Sequence, residues 1–161
     1  QTEELNEIDL PATVTSIGAY CFAESALEWM NFAENSALEI IGDHAFHDAE
    51  DFGYDWSEAI MLPKSVKIIG NYAFANANLY CGILFEEGSA LEIIGAYAFY
   101  QCTSLDYLSL PSSGTTLIGD TGPLICNFTI SQSLAFSASS RYLLLKPILM
   151  PSPSSLQSTS S

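Results

Sequence analysis

Residues 93–99 read Ile-Ile-Gly-Ala-Tyr-Ala-Phe, and the same form recurs along the chain. An Ile-Gly pair stands at Ile17-Gly18, Ile41-Gly42, Ile69-Gly70, Ile94-Gly95 and Ile118-Gly119, at intervals of 24, 28, 25 and 24 residues. In the first four the glycine is followed by two residues, a small residue and a phenylalanine, which brings Phe22, Phe46, Phe74 and Phe99 into register. Self-similarity at a near-constant period of this length is the signature of a solenoid, in which each unit buries its apolar face only by stacking on the next.

Each unit carries a short alternating apolar segment ahead of its Ile-Gly: Leu5-x-x-Ile8-x-Leu10, Leu27-x-x-Met30-x-Phe32, Ile60-x-Leu62, Ile83-x-Phe85 and Leu105-x-x-Leu108-x-Leu110. Alternation with period two predicts strands with one buried face. Pro11, Pro63 and Pro111 end three of them, because proline cannot donate to a strand ladder. The Gly-x-x-Ala-Phe stretch is too short for a free-standing helix and predicts one helical or 3₁₀ turn held by packing. The connections alternate between a short form, through "PATVTS" and "PKSVKI", and a longer one, through "AENSALEI" and "EEGSALEI". Counting back two from each Ile-Gly gives Thr15, Glu39, Lys67, Glu92 and Thr116, while Glu34, Lys64 and Glu87 follow the strands. Stacking at roughly 5 Å would set each lysine between two glutamates, worth about 0.2–1 kcal/mol per exposed pair.

The run "LNEIDLPATVTSIGAYCF" and its partner "SALEIIGDHAF" resemble the BspA-like leucine-rich repeats over about residues 5–120. The resemblance implies an α/β leucine-rich-repeat solenoid, with a parallel strand ladder on one face and turns or short helices on the other. It also implies a cell-surface or secreted protein that binds host or matrix proteins, with no catalytic residues in the repeat. Asp120-Thr-Gly-Pro replaces the Ala-Phe element in the fifth unit, and nothing after residue 125 resembles a repeat. Residues 1–125 are thus read as a solenoid of about five repeats, and residues 126–161 as a Ser-rich, poorly ordered tail.

Charge divides the 161-residue chain at the same place. Every acidic residue lies between Glu3 and Asp120 with only Lys64 and Lys67 beside them, a formal charge of −17. Residues 121–161 hold no acid and carry Arg141 and Lys146. A net charge of −15 repels phosphate backbones and argues against nucleic-acid binding. No apolar run approaches the roughly 18 residues of a membrane span; "YLLLKPILM" is too short and interrupted. Hydrophobic residues at 48% suffice for a core.

The third unit holds about five extra residues, giving an insertion over 47–58 that reads "HDAEDFGYDWSE". It gathers Asp48, Glu50, Asp51, Asp55 and Glu58 with Phe52, Tyr54 and Trp56, a mixture suited to a basic partner, to calcium, or to plain solvation. The EF-hand pattern fails, since Phe52 takes a ligand position and Ala59 stands in place of the bidentate glutamate. His44 and His47 lack further metal ligands nearby, and His44 falls in register with Tyr20, Tyr72 and Tyr97 as one member of an aromatic stack. The four cysteines have no cysteine counterparts in adjacent units, which argues against disulfides; Cys21 takes the place of Ala45, Ala73 and Ala98 and is expected to be buried. Asn127-Phe128-Thr129 is a glycosylation sequon.

Between the buried strand positions lie Glu7, Asp9, Glu28, Trp29, Asn31, Met61, Leu84, Tyr107 and Ser109, aromatic anchors in an acidic field. These residues lead to an expectation of a non-catalytic interaction module without cofactor or metal. Its protein or glycan ligand, of basic character, would meet Glu7, Glu28, Trp29, Asn31, Phe52, Tyr54, Trp56 and Tyr107. Ile17, Phe22, Ile41, Phe46, Ile69, Phe74, Ile94 and Phe99 would form the repeat core. The alternative is a structural spacer with no ligand of its own. Strand one begins at Leu5 with no cap before it, so neighbouring repeats of a longer parent chain are expected.

Overall fold

The computed structural model describes residues 6–53, 59–80, 82–105, 107–111, 117–119 and 129–130. The chain winds as a succession of short strands: β1 (Glu7–Leu10), β2 (Ser16–Ile17), β3 (Trp29–Phe32), β4 (Ile40–Ile41), β5 (Ile60–Leu62), β6 (Ile68–Ile69), β7 (Ile83–Phe85), β8 (Ile93–Ile94), β9 (Tyr107–Leu108), β10 (Leu117–Ile118) and β11 (Thr129–Ile130). Odd and even strands separate into different sheets. The even ones form a single five-stranded parallel sheet in the order β2-β4-β6-β8-β10. The odd ones form a pair, β1-β3, and a four-stranded sheet, β5-β7-β9-β11, also parallel.

The sequence expectation of an α/β fold with helical turns is corrected here, because the described residues contain no helix. The architecture is a parallel-strand β-solenoid of about four turns. Two features of the Gly-x-x-Ala-Phe segments exclude a helix. Tyr20, His44, Tyr72 and Tyr97 have φ between 53° and 58°, and Glu24, Asp48, Asn76 and Gln101, four residues on, have φ between 53° and 60°. A left-handed residue at every fourth position cannot sit in a right-handed helix. The backbone N–H groups are also committed elsewhere: Tyr20 donates to Asp43 O (3.1 Å), Phe22 to Ala45 O (2.8 Å), Phe46 to Ala73 O (2.7 Å) and Phe74 to Ala98 O (2.8 Å). Each coil therefore bonds the next through its turns as well as through its strands. The second ladder, built from the two residues before the glycine of each Ile-Gly pair, is a strand system that the alternating-segment reading does not anticipate; two residues are too few to show a period.

The core lies between the sheets and the turn segments. Ile41, Ile69 and Ile94 point inward from the even strands, Leu38, Val66 and Leu91 lie beneath the connections, and Leu62, Ile60 and Ile83 come from the odd strands, all nearly free of solvent. Phe22, Phe46, Phe74 and Phe99 stack in a row with centroids 5.3, 5.1 and 5.4 Å apart. Identical residues stacked in register at the strand spacing fall naturally at the separation that parallel rings favour. A second row on the outer side runs Tyr20–His44–Tyr72–Tyr97, with centroids 4.6, 4.9 and 5.0 Å apart and planes 5° from parallel. That stack agrees with the register expected for His44. It also offsets the cost of about 1–2 kcal/mol that a non-glycine residue incurs in the left-handed region.

Connections follow their two sequence forms. Val14 N–H donates to Pro11 O and Val66 N–H to Pro63 O, both at 3.1 Å, closing the short turns. In the long ones Ser36 N–H reaches Ala33 O and Ser89 N–H reaches Glu86 O, with Asn35 and Gly88 at φ of 61° and 78°. These are the glycine- and asparagine-favouring positions of type II turns. Ser36 and Ser89 then accept the N–H of Leu38 and Leu91 through their hydroxyls. Among polar ladders, Asp43 accepts the Asn71 N–H at 2.7 Å, and Asn71 Oδ1 accepts the Ala96 N–H at 2.8 Å. Asn71→Ala should cost about 0.5–1.5 kcal/mol in denaturant unfolding, since it frees an exposed N–H that water can partly serve. An effect above about 3 kcal/mol would show that this side chain carries packing as well.

Lys67 Nζ lies 2.7 Å from Glu39 Oε1, and that hydrogen bond, then the charge of Glu39, holds the ammonium above its ordinary value of 10.5. Any stabilisation from this contact is complete below 10.5 and is lost as pH rises through the raised value. Glu92 contributes to the shift from the other side, as the ladder reading expected. Lys64 behaves differently, giving its backbone N–H to Glu86 Oε2 at 3.1 Å.

Candidate partner-binding surface

The odd strands carry the polar face expected from the sequence. Register places Glu7 beside Trp29 and Asp9 beside Asn31 on β1 and β3. Asn31 is the hub: its Nδ2 donates to Glu7 Oε1 (2.7 Å) and to Asp9 Oδ1 (2.9 Å), while its Oδ1 accepts the Trp29 indole N–H (3.0 Å). Glu28 accepts from Asn6 Nδ2 at 2.7 Å. Glu7, Asp9 and Asn31 are exposed, and Glu28 and Trp29 are half-buried. Trp29 packs against the core and its indole N–H is satisfied, so the side chain is fixed with part of its surface open. Two carboxylates held by one amide and bordered by an indole make a rigid acceptor surface suited to cationic groups. Along the same face of β5 and β7, Met61 is 45% exposed and Leu84 is half-buried. Tyr107 is described by its backbone alone, on β9 in register with Thr129.

The described part of the insertion, through Gly53, belongs to the body of the solenoid. Phe52 is 1% exposed and stacks on Phe46 at 4.5 Å, and Ala49 is buried with it. The expectation that Phe52 meets a partner is therefore corrected: a ring closed off by the core offers no surface. The reason is geometric. At the step between β3 and β5, where the two odd sheets separate, Gly53 N–H donates to Glu28 O (2.8 Å) and Phe52 O accepts the Leu79 N–H (3.1 Å). Phe52 and Gly53 bridge this step through those two backbone bonds, and the Phe52 ring is packed in the core beside Phe46. The described residues stop at Gly53, hydrogen-bonded next to Trp29, and resume at Ala59, just before β5. Tyr54, Asp55, Trp56 and Glu58 lie outside the described residues.

Cys21 is a second correction. It is exposed, whereas Ala45, Ala73 and Ala98 at the same position are buried. This position is covered by a neighbouring coil on the side of lower residue number, and the first coil has none among the described residues. Phe22 is half-buried for the same reason. Cys102 is buried, with its thiol toward Phe74 O at 3.0 Å. Cys81, Cys126 and the asparagine of the sequon lie outside the described residues. His47 Nδ1 pairs with Asp48 Oδ2 at 2.9 Å. Among the described residues no group of three or more His, Cys, Asp or Glu is placed to hold a metal ion, and none of the helices that could cross a membrane is present.

One surface escaped the sequence reading. Ile40 and Ile93 are 40% and 38% exposed, and Ile68 between them is half-buried. They share one outward column of the even sheet, Ser16–Ile40–Ile68–Ile93. The doubled isoleucine of "IIG" was its signal, since adjacent strand residues face opposite ways and only one of the pair can be inside.

None of the curated proteins compared matches the chain. Among solved structures it is similar to the crystal structure of the pneumococcal vaccine antigen PcpA, at 28% identity with a TM-score of 0.59, over 78% of this chain and 29% of that one. The chain thus spans less than a third of the length of that protein. The family model for the BspA type leucine rich repeat region matches residues 1–121 in six copies. The stacked coils, the Ile-Gly period and this match agree: the chain belongs to the BspA-type leucine-rich-repeat family.

Proposed function

We propose that this chain is a non-catalytic protein-interaction module of an extracellular or cell-surface protein, which engages a protein or glycan ligand of basic character. Contact is made through the β1–β3 face, with Glu7, Glu28, Trp29 and Asn31, together with Tyr54 and Trp56 of the insertion and Tyr107. The observation that carries this reading is the Asn31-centred network beside the root of the insertion at Gly53. Rigid groups bind without the ordering cost that mobile side chains incur. Similarity to a vaccine antigen supports the surface location, and the repeat family supports interaction in place of catalysis.

A second reading, a spacer with no ligand, draws on the same indole: its N–H is already satisfied within the coil and the ring is half-covered. Affinity capture with the full chain, against matrix and cell-surface extracts, separates the two. The interaction reading expects a partner whose affinity falls about 30-fold or more with Trp29→Ala or Trp56→Ala, as for an interface anchor worth about 2 kcal/mol. The unfolding midpoint of each variant is measured alongside. A folded bait that captures nothing supports the spacer, and a partner indifferent to both changes removes this face from the proposal.

A further inference from the structure

The isoleucine column of the even sheet is an apolar stripe on the outside of a strongly acidic body. Ile40, Ile68 and Ile93 stand in successive coils in identical register. The row beside them reads Glu39, Lys67, Glu92, in which Lys67 is engaged by Glu39. Cross-strand stacking of β-branched residues contributes to the sheet, yet it leaves two of the three isoleucines more than a third open to water. The corresponding column of the odd strands is mostly polar where it begins, with Asp9 beside Asn31. A solvated sheet face does not need three isoleucines in a row.

A second copy of the chain is a poor occupant, because residues 1–120 carry −17 and two such bodies repel. The complementary composition lies in the chain itself. Residues 121–161 contain no acid, and their two cations, Arg141 and Lys146, bracket Tyr142, Leu143, Leu144 and Leu145, with Ile148, Leu149 and Met150 just beyond. The last described residue is Ile130, on β11 beside β9. Ten residues, and so eleven steps along the chain, separate it from Arg141, a reach of up to about 36 Å, whereas five strands stacked at about 4.8 Å span about 19 Å. Tethering raises the local concentration of such a segment to the millimolar range.

We propose that residues 141–150 dock in cis on the Ile40–Ile68–Ile93 stripe, burying their leucines there with Arg141 and Lys146 toward the acidic flank that includes Glu92. This inference is independent of the β1–β3 binding face.

Amide hydrogen exchange on the full chain tests it. Exchange across 142–150 should be slowed about tenfold or more relative to an unstructured chain. Ile93→Ser or Ile40→Ser should abolish that slowing while the amides around Phe74 stay protected. A paired tail change, Leu143→Ser with Leu145→Ser, leaves the solenoid sequence untouched and should raise binding of a hydrophobic dye severalfold as the stripe opens. Unslowed exchange in the unaltered chain overturns the proposal. So does slowing that ignores both stripe variants, slowing that grows with protein concentration, which indicates a second copy, or a tail variant with unchanged dye binding.

Discussion

Replacing Phe74 with alanine should lower the unfolding free energy by about 3–5 kcal/mol, the range expected for a fully buried phenylalanine. The ring is 1% exposed and lies between Phe46 and Phe99, at 5.1 and 5.4 Å, with Phe52 at 6.4 Å. Its removal leaves a cavity lined on three sides by aromatic groups that are themselves fixed in a stack. The backbone around it is held as well: Phe74 N–H donates to Ala98 O and Phe74 O accepts the Cys102 thiol. Collapse into the cavity is therefore resisted, and the full cavity term is expected. Urea unfolding followed by far-ultraviolet circular dichroism gives the number. Phe22→Ala is the companion measurement, because Phe22 has a ring neighbour in Phe46 and is half-buried, so its loss should be clearly smaller. Equal losses at the two sites would mean that ring stacking, and not burial, sets the stability of the ladder.

Gly70→Ala should be comparably damaging while Gly18→Ala should be nearly silent, although both glycines occupy the same place in the repeat. A Cβ on Gly70 would stand 2.5 Å from Asp43 N and 2.6 Å from Gly42 C. Both atoms are backbone, held by the coil-to-coil hydrogen bonds, so no side chain can swing aside. The cost lies at the upper end of the roughly 1–3 kcal/mol of overpacked cores, or beyond it. Gly42, Gly95 and Gly119 make the same approach, at 2.5–2.9 Å, to the coil before each. Gly18 has nothing within 4 Å of that point, and a methyl group there meets open space. Thermal unfolding of the two variants side by side is the test. A Gly70→Ala protein that melts with the parent would show that the coils can spread apart at no cost, contrary to the packing described above.

Much of this molecule is legible in its repeat. The period, the inward isoleucines and phenylalanines, the Tyr20–His44–Tyr72–Tyr97 stack and the Glu39–Lys67 contact all follow from putting equivalent residues in register. Stacking at the strand spacing turns a sequence alignment into a list of neighbours. The residues of the candidate binding face are less legible. Asn31 was placed on the face correctly, but its role in tying together Glu7, Asp9 and Trp29 depends on which side chains the β1–β3 register brings within 3 Å. Phe52 was misplaced because an acidic insertion looks solvated residue by residue, and only the step between β3 and β5 supplies the apolar space that its ring fills.

The sequence by itself determined that the chain is a stack of similar coils and which positions of the repeat face the interior, because hydrophobic order repeated at a fixed period is buried by stacking. Tertiary structure decided the rest. Turns replaced helices because the N–H groups of each Gly-x-x-Ala-Phe segment find their acceptors in the next coil, a choice that no local propensity contains. Cys21 and Ala45 occupy one position in the repeat, yet one is exposed and the other buried. Burial in a solenoid is conferred by the neighbouring coil, and the residue's own sequence context does not carry it.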